Sequence, residues 1–193
     1  MKTKLMILLA AATMCVACGG NNSKKTTGPT TEVAQNTTSM EIDAVLAGAE
    51  VLNDQTIVLE GICTHICKHG GTKIFMMGSD DTKTLRIEAA KLGSFDQKCV
   101  NSIVRIKGIL RENRVDEAYL QSWEAAVAAQ TAKQHGEVET GCDSEKAARG
   151  ETGNTVAERI ADFRKKIAVR KAAVGKEYLS FYYVEALSYE VVE

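Results

Sequence analysis

The sequence is poor in several features that mark special classes of protein. The 193-residue chain has one proline, 5% aromatic residues and a formal net charge of −1. The single proline and the ordinary 45% share of hydrophobic residues exclude collagen-like and wholly disordered chains. The near-neutral charge excludes a strong electrostatic field that would draw the whole protein to nucleic acid. We therefore expect no nucleic-acid partner.

Familiar catalytic motifs are missing as well. The chain contains no G-x-S-x-G, H-E-x-x-H, Walker loop or G-x-G-x-x-G sequence. The acidic pairs Asp80-Asp81 and Asp116-Glu117 are typical of a turn and of a helix start. The sequence therefore favours a protein that is not an enzyme.

The apolar run at the start of the chain is too short to cross a membrane. Lys2 and Lys4 precede an apolar stretch over 5–12, and small residues follow up to Cys18. A run of about eight residues cannot span a bilayer, which needs about 20 residues. The pattern therefore predicts an export signal over residues 1–17.

The end of this segment, Ala17-Cys18, resembles the lipobox of bacterial lipoproteins, with Cys15 where that family usually has leucine. The resemblance implies that Cys18 is diacylated, becomes the new N-terminus and anchors the protein to a membrane. Ordinary signal cleavage without a lipid is the alternative. Residues 18–40 are rich in Asn, Ser, Thr, Lys and Gly and predict a flexible tether. Because no acidic cluster follows Cys18, we expect the anchored protein to face the periplasm.

Hydrophobic periodicity predicts one folded domain over 41–193. Helices are predicted over 42–52, with Asp43 as N-cap, over 116–133, and over 156–174 before Gly175. Strands are predicted over 56–68, 73–78, 84–89, 103–111 and 181–192. Residues 90–98 are expected to form a short helix or loop, and 136–154 a link rich in glycine and charge.

The order of these elements resembles the oligonucleotide/oligosaccharide-binding (OB) fold. Five short strands, with Gly61 inside the first and the segment LNDQTIVLEGIC at its start, carry the resemblance. It implies a mainly β, α+β fold: a five-stranded OB-like barrel with a two-helix insertion at about 116–175 before the last strand. It also implies a binding module for a protein, peptide or saccharide. An α+β sheet with a separate helical hairpin is the alternative fold.

One cluster of side chains could bind a metal. Cys63, His65, Cys67 and His69 alternate along the first strand and its turn, and alternating side chains share one face of a strand. Nitrogen and sulfur ligands suit zinc or copper. Cys63 and Cys67 lie about 13 Å apart on a straight strand, too far to share one ion. The reachable ligands are therefore His65, Cys67 and His69, with Cys63 as accessory, and a metal-binding or thiol-redox protein is the alternative function.

Disulfide bonds are the competing use of the cysteines. Four remain after loss of the signal and lipidation of Cys18: Cys63, Cys67, Cys99 and Cys142. In an oxidising compartment they allow three pairings, which the sequence leaves open.

Two further groups of residues suggest a binding surface. A basic face with one aromatic ring is predicted on the barrel, formed by Lys73, Lys83, Arg86, Arg105, Lys107 and Phe75. The densest aromatic cluster is Tyr178, Phe181, Tyr182, Tyr183 and Tyr189. Core packing is the simpler interpretation of this cluster, and a stacking platform for a saccharide or peptide is the other.

Overall fold

A computed structural model of the chain describes residues 38–68, 70–133 and 143–192. The strands are β1 (Met40–Glu41), β2 (Thr56–Ile66), β3 (Lys73–Met77), β4 (Thr84–Glu88), β5 (Ile103–Asp116) and β6 (Tyr178–Val192). The helices are α1 (Ile42–Ala47), α2 (Ala49–Leu52), α3 (Glu117–Lys133), α4 (Asp143–Ala148) and α5 (Val156–Val174). The predicted signal over 1–17, most of the tether, and the residues Cys18, His69 and Cys142 lie outside the described residues. No helix in the described ranges is long and apolar enough to cross a bilayer.

Five of the strands form a closed barrel in the order β2-β3-β4-β6-β5. An antiparallel pairing of β2 with β5 closes it, while β4 and β6 pair in parallel. The short β1 pairs in parallel with residues 59–60 of β2. The α+β fold with an OB-like barrel, and the two helices α3 and α5 before the last strand, are therefore confirmed.

Gly61 lies where β2 changes partners. Residues 56–62 pair with β5, and residues 62–66 pair with β3. A Cβ atom at Gly61 would lie 2.8 Å from Cγ1 of Ile42, which is buried in α1. Glycine is therefore needed here for the close approach of α1, which covers one end of the barrel.

The barrel interior is filled by the inward-facing side chains of every long strand. The alternating burial of β2, β4 and β5 is the period-two pattern of strands with one face on a core. Members of this core from α1, α2 and the barrel strands include Ile42, Val45, Ala49, Leu59, Ile74, Met76, Leu85, Ile87, Val104, Ile106, Leu110 and Val184.

A second, smaller core joins the helical insertion to the barrel. Val115 on β5, Leu120 on α3, and Ile160 and Phe163 on α5 are buried together. Helix α5 begins with a capping box between Thr155 and Glu158 and ends at Gly175, which has a left-handed conformation. This confirms the predicted start and end of the helix.

Several predicted boundaries differ from the structure for physical reasons. The predicted helix 42–52 is interrupted at Gly48, so it forms α1 and α2. Glu41, not Asp43, is the N-cap residue of α1, and no side chain caps this end. Asp43 instead accepts hydrogen bonds from Ser79 and Lys83 in the turn between β3 and β4.

The ribbon of β5 and β6 is longer than predicted. Residues 112–116 pair with 178–182 of β6, although the sequence there is polar. This extension places Val115 in the second core. Tertiary packing therefore stabilises a part of β5 that the hydrophobic periodicity of the sequence does not predict. Part of the predicted link over 136–154 is helical, since α4 covers Asp143–Ala148.

Candidate functional site

The cysteines and histidine of β2 do not share one face. The strand has a register shift between Cys63 and His65, so Cys63 lies opposite Met76 whereas His65 lies opposite the next residue, Phe75. Because neighbouring residues of β3 face opposite sides, Cys63 points into the barrel and His65 lies on its outer surface. The expectation of a single alternating face is therefore wrong at this bulge.

The predicted metal site stays a prediction. Within residues 38–68, 70–133 and 143–192, no group of three or more His, Cys, Asp or Glu side chains could hold a metal ion. His69, one of the three reachable ligands, lies outside those ranges. His65 contacts the ring of Phe75, with 5.8 Å between ring centroids.

Cys63 and Cys99 are free thiols, and both are buried in the main core. The amide of Asn101 donates a 2.7 Å hydrogen bond to the carbonyl of Cys63, and the amide of Cys63 donates to the carbonyl of Ser102 at 3.0 Å. Burial, together with the neighbouring Cys99, raises the pKa of the Cys63 thiol to about 11. Cys67 is also buried, at the end of β2. The predicted disulfides remain untested, and Cys99 packs in the same core as Cys63 of the first long strand.

A row of ring and guanidinium groups crosses the outer surface of the barrel. His65, Phe75, Arg86 and Tyr183 lie opposite one another on β2, β3, β4 and β6. The Arg86 guanidinium lies over the Tyr183 ring, 4.8 Å from its centroid. We call these four residues the outer row. Phe75 is only 1% exposed, yet it belongs to neither core.

A carboxylate from the helical insertion lies on this row. Glu145 of α4 accepts a 2.8 Å hydrogen bond from Nη1 of Arg86 and lies 3.4 Å from Nζ of Lys73. Burial alone would raise the pKa of Glu145, but the charges of Lys73 and Arg86 outweigh it and hold the pKa below its usual value. We call Lys73 and Arg86, with the ring of Tyr183 beneath the Arg86 guanidinium, the carboxylate seat.

The predicted basic face is only partly formed. Lys73 and Arg86 lie together, but Lys83 pairs with Asp43, and Arg105 pairs with Glu60 and Glu190 on β2 and β6. Lys107 is exposed on β5. The face therefore carries two basic side chains rather than five, and Glu145 already occupies them.

Most of the predicted aromatic cluster serves packing. Phe181 packs edge-on against Phe163 in the second core, and Tyr189 packs against Phe95. Tyr178 lies between the guanidinium groups of Arg114 and Arg170. Only Tyr183 belongs to the carboxylate seat. Sequence reasoning missed Glu145, because nothing in the chain around it distinguishes it from a solvent-facing acid.

The comparisons with known proteins identify no relative of this chain. No protein-family model, curated protein or solved structure matches the chain.

Proposed function

We propose that this protein is a lipid-anchored binding module of the cell envelope, whose OB-like barrel binds an acidic saccharide at the carboxylate seat. The observation that carries the proposal is the contact of Glu145 with Lys73 and Arg86. In OB folds, the face of the second and third strands binds oligonucleotides or oligosaccharides. In this barrel those strands are β3 and β4, which carry Lys73 and Arg86.

The chemistry of the seat suits a carboxylate. Arg86 is 12% exposed, and the guanidinium is held by Tyr183 on one side and by Glu88 at 3.4 Å. Its Nε atom is buried and has no hydrogen-bond partner among the described residues. A guanidinium binds carboxylates through charge-assisted hydrogen bonds, so a ligand carboxylate would take over the bond that Nη1 donates to Glu145.

The rings of the outer row favour a saccharide over a plain anion. His65 on β2 and Tyr183 on β6 are partly exposed rings at the two ends of the outer row, with the buried Phe75 and with Arg86 between them. Flat apolar rings beside a small number of oriented polar groups are typical of small-molecule sites. In this proposal Glu145 is an internal competitor, and an acidic ligand binds when α4 moves away.

Removing the competing charge tests the site. Hexagalacturonate is titrated into the full chain and into Glu145→Gln, and the dissociation constants are measured by calorimetry. We expect Glu145→Gln to bind about tenfold more tightly, a difference of about 1.4 kcal/mol, and Arg86→Gln to lose binding. Glu124→Gln is the matched control, since Glu124 pairs with Arg164 on the helical insertion.

Two further ligands separate the alternatives. Neutral maltohexaose should not bind, and hexaglutamate should bind more weakly than hexagalacturonate. Tighter binding of hexaglutamate would replace the saccharide with an acidic peptide as the ligand. Equal affinities of Glu145→Gln and Glu124→Gln would remove the carboxylate seat from the proposal.

The anchor is tested separately. The full chain is expressed in a bacterium that processes lipoproteins, with labelled palmitate in the medium. We expect label in the wild-type protein and in Cys15→Ala, and none in Cys18→Ala, because the acyl chains attach to Cys18. Label retained in Cys18→Ala would contradict the anchor without affecting the barrel site.

A further inference from the structure

Four apolar side chains lie opposite one another on the outside of the barrel. Ile62 on β2 is paired with Met77 on β3 and with Ile103 on β5, and Ile103 is paired with Val192 on β6. Residues directly opposite one another on neighbouring strands point to the same face of a sheet. We call these four residues the apolar row.

The apolar row faces away from the barrel interior. On each of the four strands, the residue next to the row lies in the main core or packs against it: Met76, Cys63, Val104 and Val191. Because side chains alternate between the two faces of a strand, the row lies on the outer face. Ile62 is 45% exposed and Ile103 is 44% exposed, and the other two members are half-buried.

The row is a continuous apolar strip rather than a set of scattered side chains. Scattered exposed apolar residues are common on protein surfaces, whereas contiguous ones rimmed by polar groups mark interaction sites. Covering the two isoleucines would remove apolar surface from water, which is favourable in proportion to the area covered. A partner that covers the row must therefore present apolar side chains to it.

A charged row adjoins the apolar row, two residues further along the same strands. Arg105 on β5 lies between Glu60 on β2 and Glu190 on β6, and it forms ion pairs with both carboxylates. The side chain of Arg105 is 43% exposed and that of Glu60 is 27% exposed, so a partner can reach both. An acid and a base side by side on adjacent strands are complementary to the same pair in reversed order.

A two-fold rotation supplies this reversed order. The outer surface of a closed barrel is convex, so a partner centred between β2 and β5 touches these two strands most closely. For an axis parallel to the two strands and midway between them, Ile62 meets Ile103 of the partner. The same rotation brings Glu60 opposite Arg105 of the partner. Each contact occurs twice, as in every isologous interface.

From this arrangement we infer that the apolar row is the interface of a symmetric homodimer, and that its occupant is a second copy of this chain. Ile62 and Ile103 form the centre of the interface, and Glu60 binds Arg105 across it. Contacts between convex surfaces are small, so the dimer belongs to the weak class of interfaces, which bury less than about 1,200 Å². The inference goes beyond the proposed function, since it uses neither the carboxylate seat nor the lipid anchor.

Sedimentation equilibrium of the full chain measures the dimer. We expect a monomer–dimer equilibrium with a dissociation constant below about 1 mM. Ile62→Thr and Ile103→Thr should each raise this constant by about tenfold or more, because threonine keeps the strand propensity but removes apolar contact area. Val169→Thr is the matched control, since Val169 is 64% exposed on α5 and lies outside the row.

Charge exchange tests the two-fold arrangement itself. Glu60→Arg and Arg105→Glu each place like charges opposite one another across the axis, so either variant alone should be monomeric. An equimolar mixture restores opposite charges at both contacts, and we expect it to form a mixed dimer at least about tenfold more tightly than either variant alone. The ion pairs within each chain are the same in the separate and mixed samples, so the restored dimer reports only on contacts between chains.

Amide chemical shifts of the wild-type protein, followed as its concentration rises, keep the test independent of variants that fail to fold. Shifts grouped at residues 60–62 and 103–105 support the inference, and shifts grouped elsewhere overturn it. A wild-type chain that stays monomeric at about 1 mM also overturns it. So does an equal weakening in Val169→Thr, or a mixture that dimerises no more tightly than its two components.

Discussion

Among single residues, Cys63 and Asp43 depart most from their expected positions. One extra residue in β2 turns Cys63 inward and leaves His65 outside, so two members of the predicted metal cluster face opposite sides of the sheet. Asp43, one residue after the start of α1, links that helix to the turn between β3 and β4. Both positions result from contacts with distant residues of the chain.

The carboxylate of Asp43 makes stability depend on pH. Its hydrogen bonds from Lys83 and Ser79 lower the pKa to about 2. A lowered pKa stabilises the fold when the pH is above the unfolded value of about 3.9, and this contribution disappears as the pH falls towards 2. We expect Asp43→Asn to lower the melting temperature at pH 6 and to differ little from the wild type at pH 2.

Thermal unfolding followed by circular dichroism at both pH values measures this difference. Asp81→Asn, in the same turn between β3 and β4, is the control. A difference between Asp43→Asn and the wild type that is equally large at pH 2 would show that the carboxylate charge is not responsible.

Among the elements, α1 packs its apolar side chains into the main core of the barrel. Ile42, Val45 and Ala49 of α1 and α2 are buried in the main core, and Gly61 lets Ile42 approach β2 closely. Helix α4 lies on the outer surface of the barrel, where its Glu145 contacts Lys73 and Arg86 of the carboxylate seat. Both helices are short, so contacts with the barrel rather than intrinsic propensity stabilise them.

A methyl group at Gly61 should disturb the contact with α1. The Cβ atom of Gly61→Ala would lie 2.8 Å from Cγ1 of Ile42, so this buried side chain or the helix that carries it must shift. Overpacking of this kind costs about 1–3 kcal/mol of the free energy of unfolding, which urea titration measures.

A second substitution separates this cause from a change in strand propensity. In an Ile42→Ala background the nearest obstructing atoms are absent and the Met77 carbonyl oxygen, at 3.3 Å, remains, so Gly61→Ala should cost much less there. If Gly61→Ala lowers the free energy of unfolding equally in both backgrounds, the loss arises from the β2 backbone and not from the contact with Ile42.

In the whole molecule, the main core joins segments that are distant along the chain. Cys63 on β2 and Cys99 before β5 both lie in this core, although they are 36 positions apart along the chain. A disulfide between them would close the loop 63–99 and would itself be buried in the core.

We expect this pair, rather than one containing Cys67, to form when the protein folds with oxidised glutathione present. Thiol–disulfide exchange would join the two sulfur atoms and release reduced glutathione. Loop closure over 36 residues predicts a stabilisation of about 3–4 kcal/mol. The change is measured as a higher melting temperature that is lost on reduction.

Peptide mapping identifies the bond. Cys67→Ser should keep the cross-link and the reduction-sensitive melting temperature, while Cys63→Ser and Cys99→Ser should lose both. A cross-link that disappears in Cys67→Ser would assign the bond to another pair.

The sequence by itself determined the strands β2 to β6, the helix α5 with its two ends, and the position of the helical insertion. These features follow from local signals, such as alternating apolar residues in strands, apolar residues at helical spacing and a glycine at the helix end. The OB-like barrel could be predicted because the order of these elements resembles that of the OB fold, while the pairing of β2 with β5 that closes it is a tertiary contact.

Only the tertiary structure decided which side chains meet. The bulge in β2, the extension of β5 to Val115 and the position of Glu145 on Arg86 depend on partners far along the chain. The last of these contacts joins residues 59 positions apart, and no local pattern at either residue reveals it. Hydrophobic periodicity reports which residues are buried, whereas the pairing of charges and the shape of a cleft are set by packing between elements.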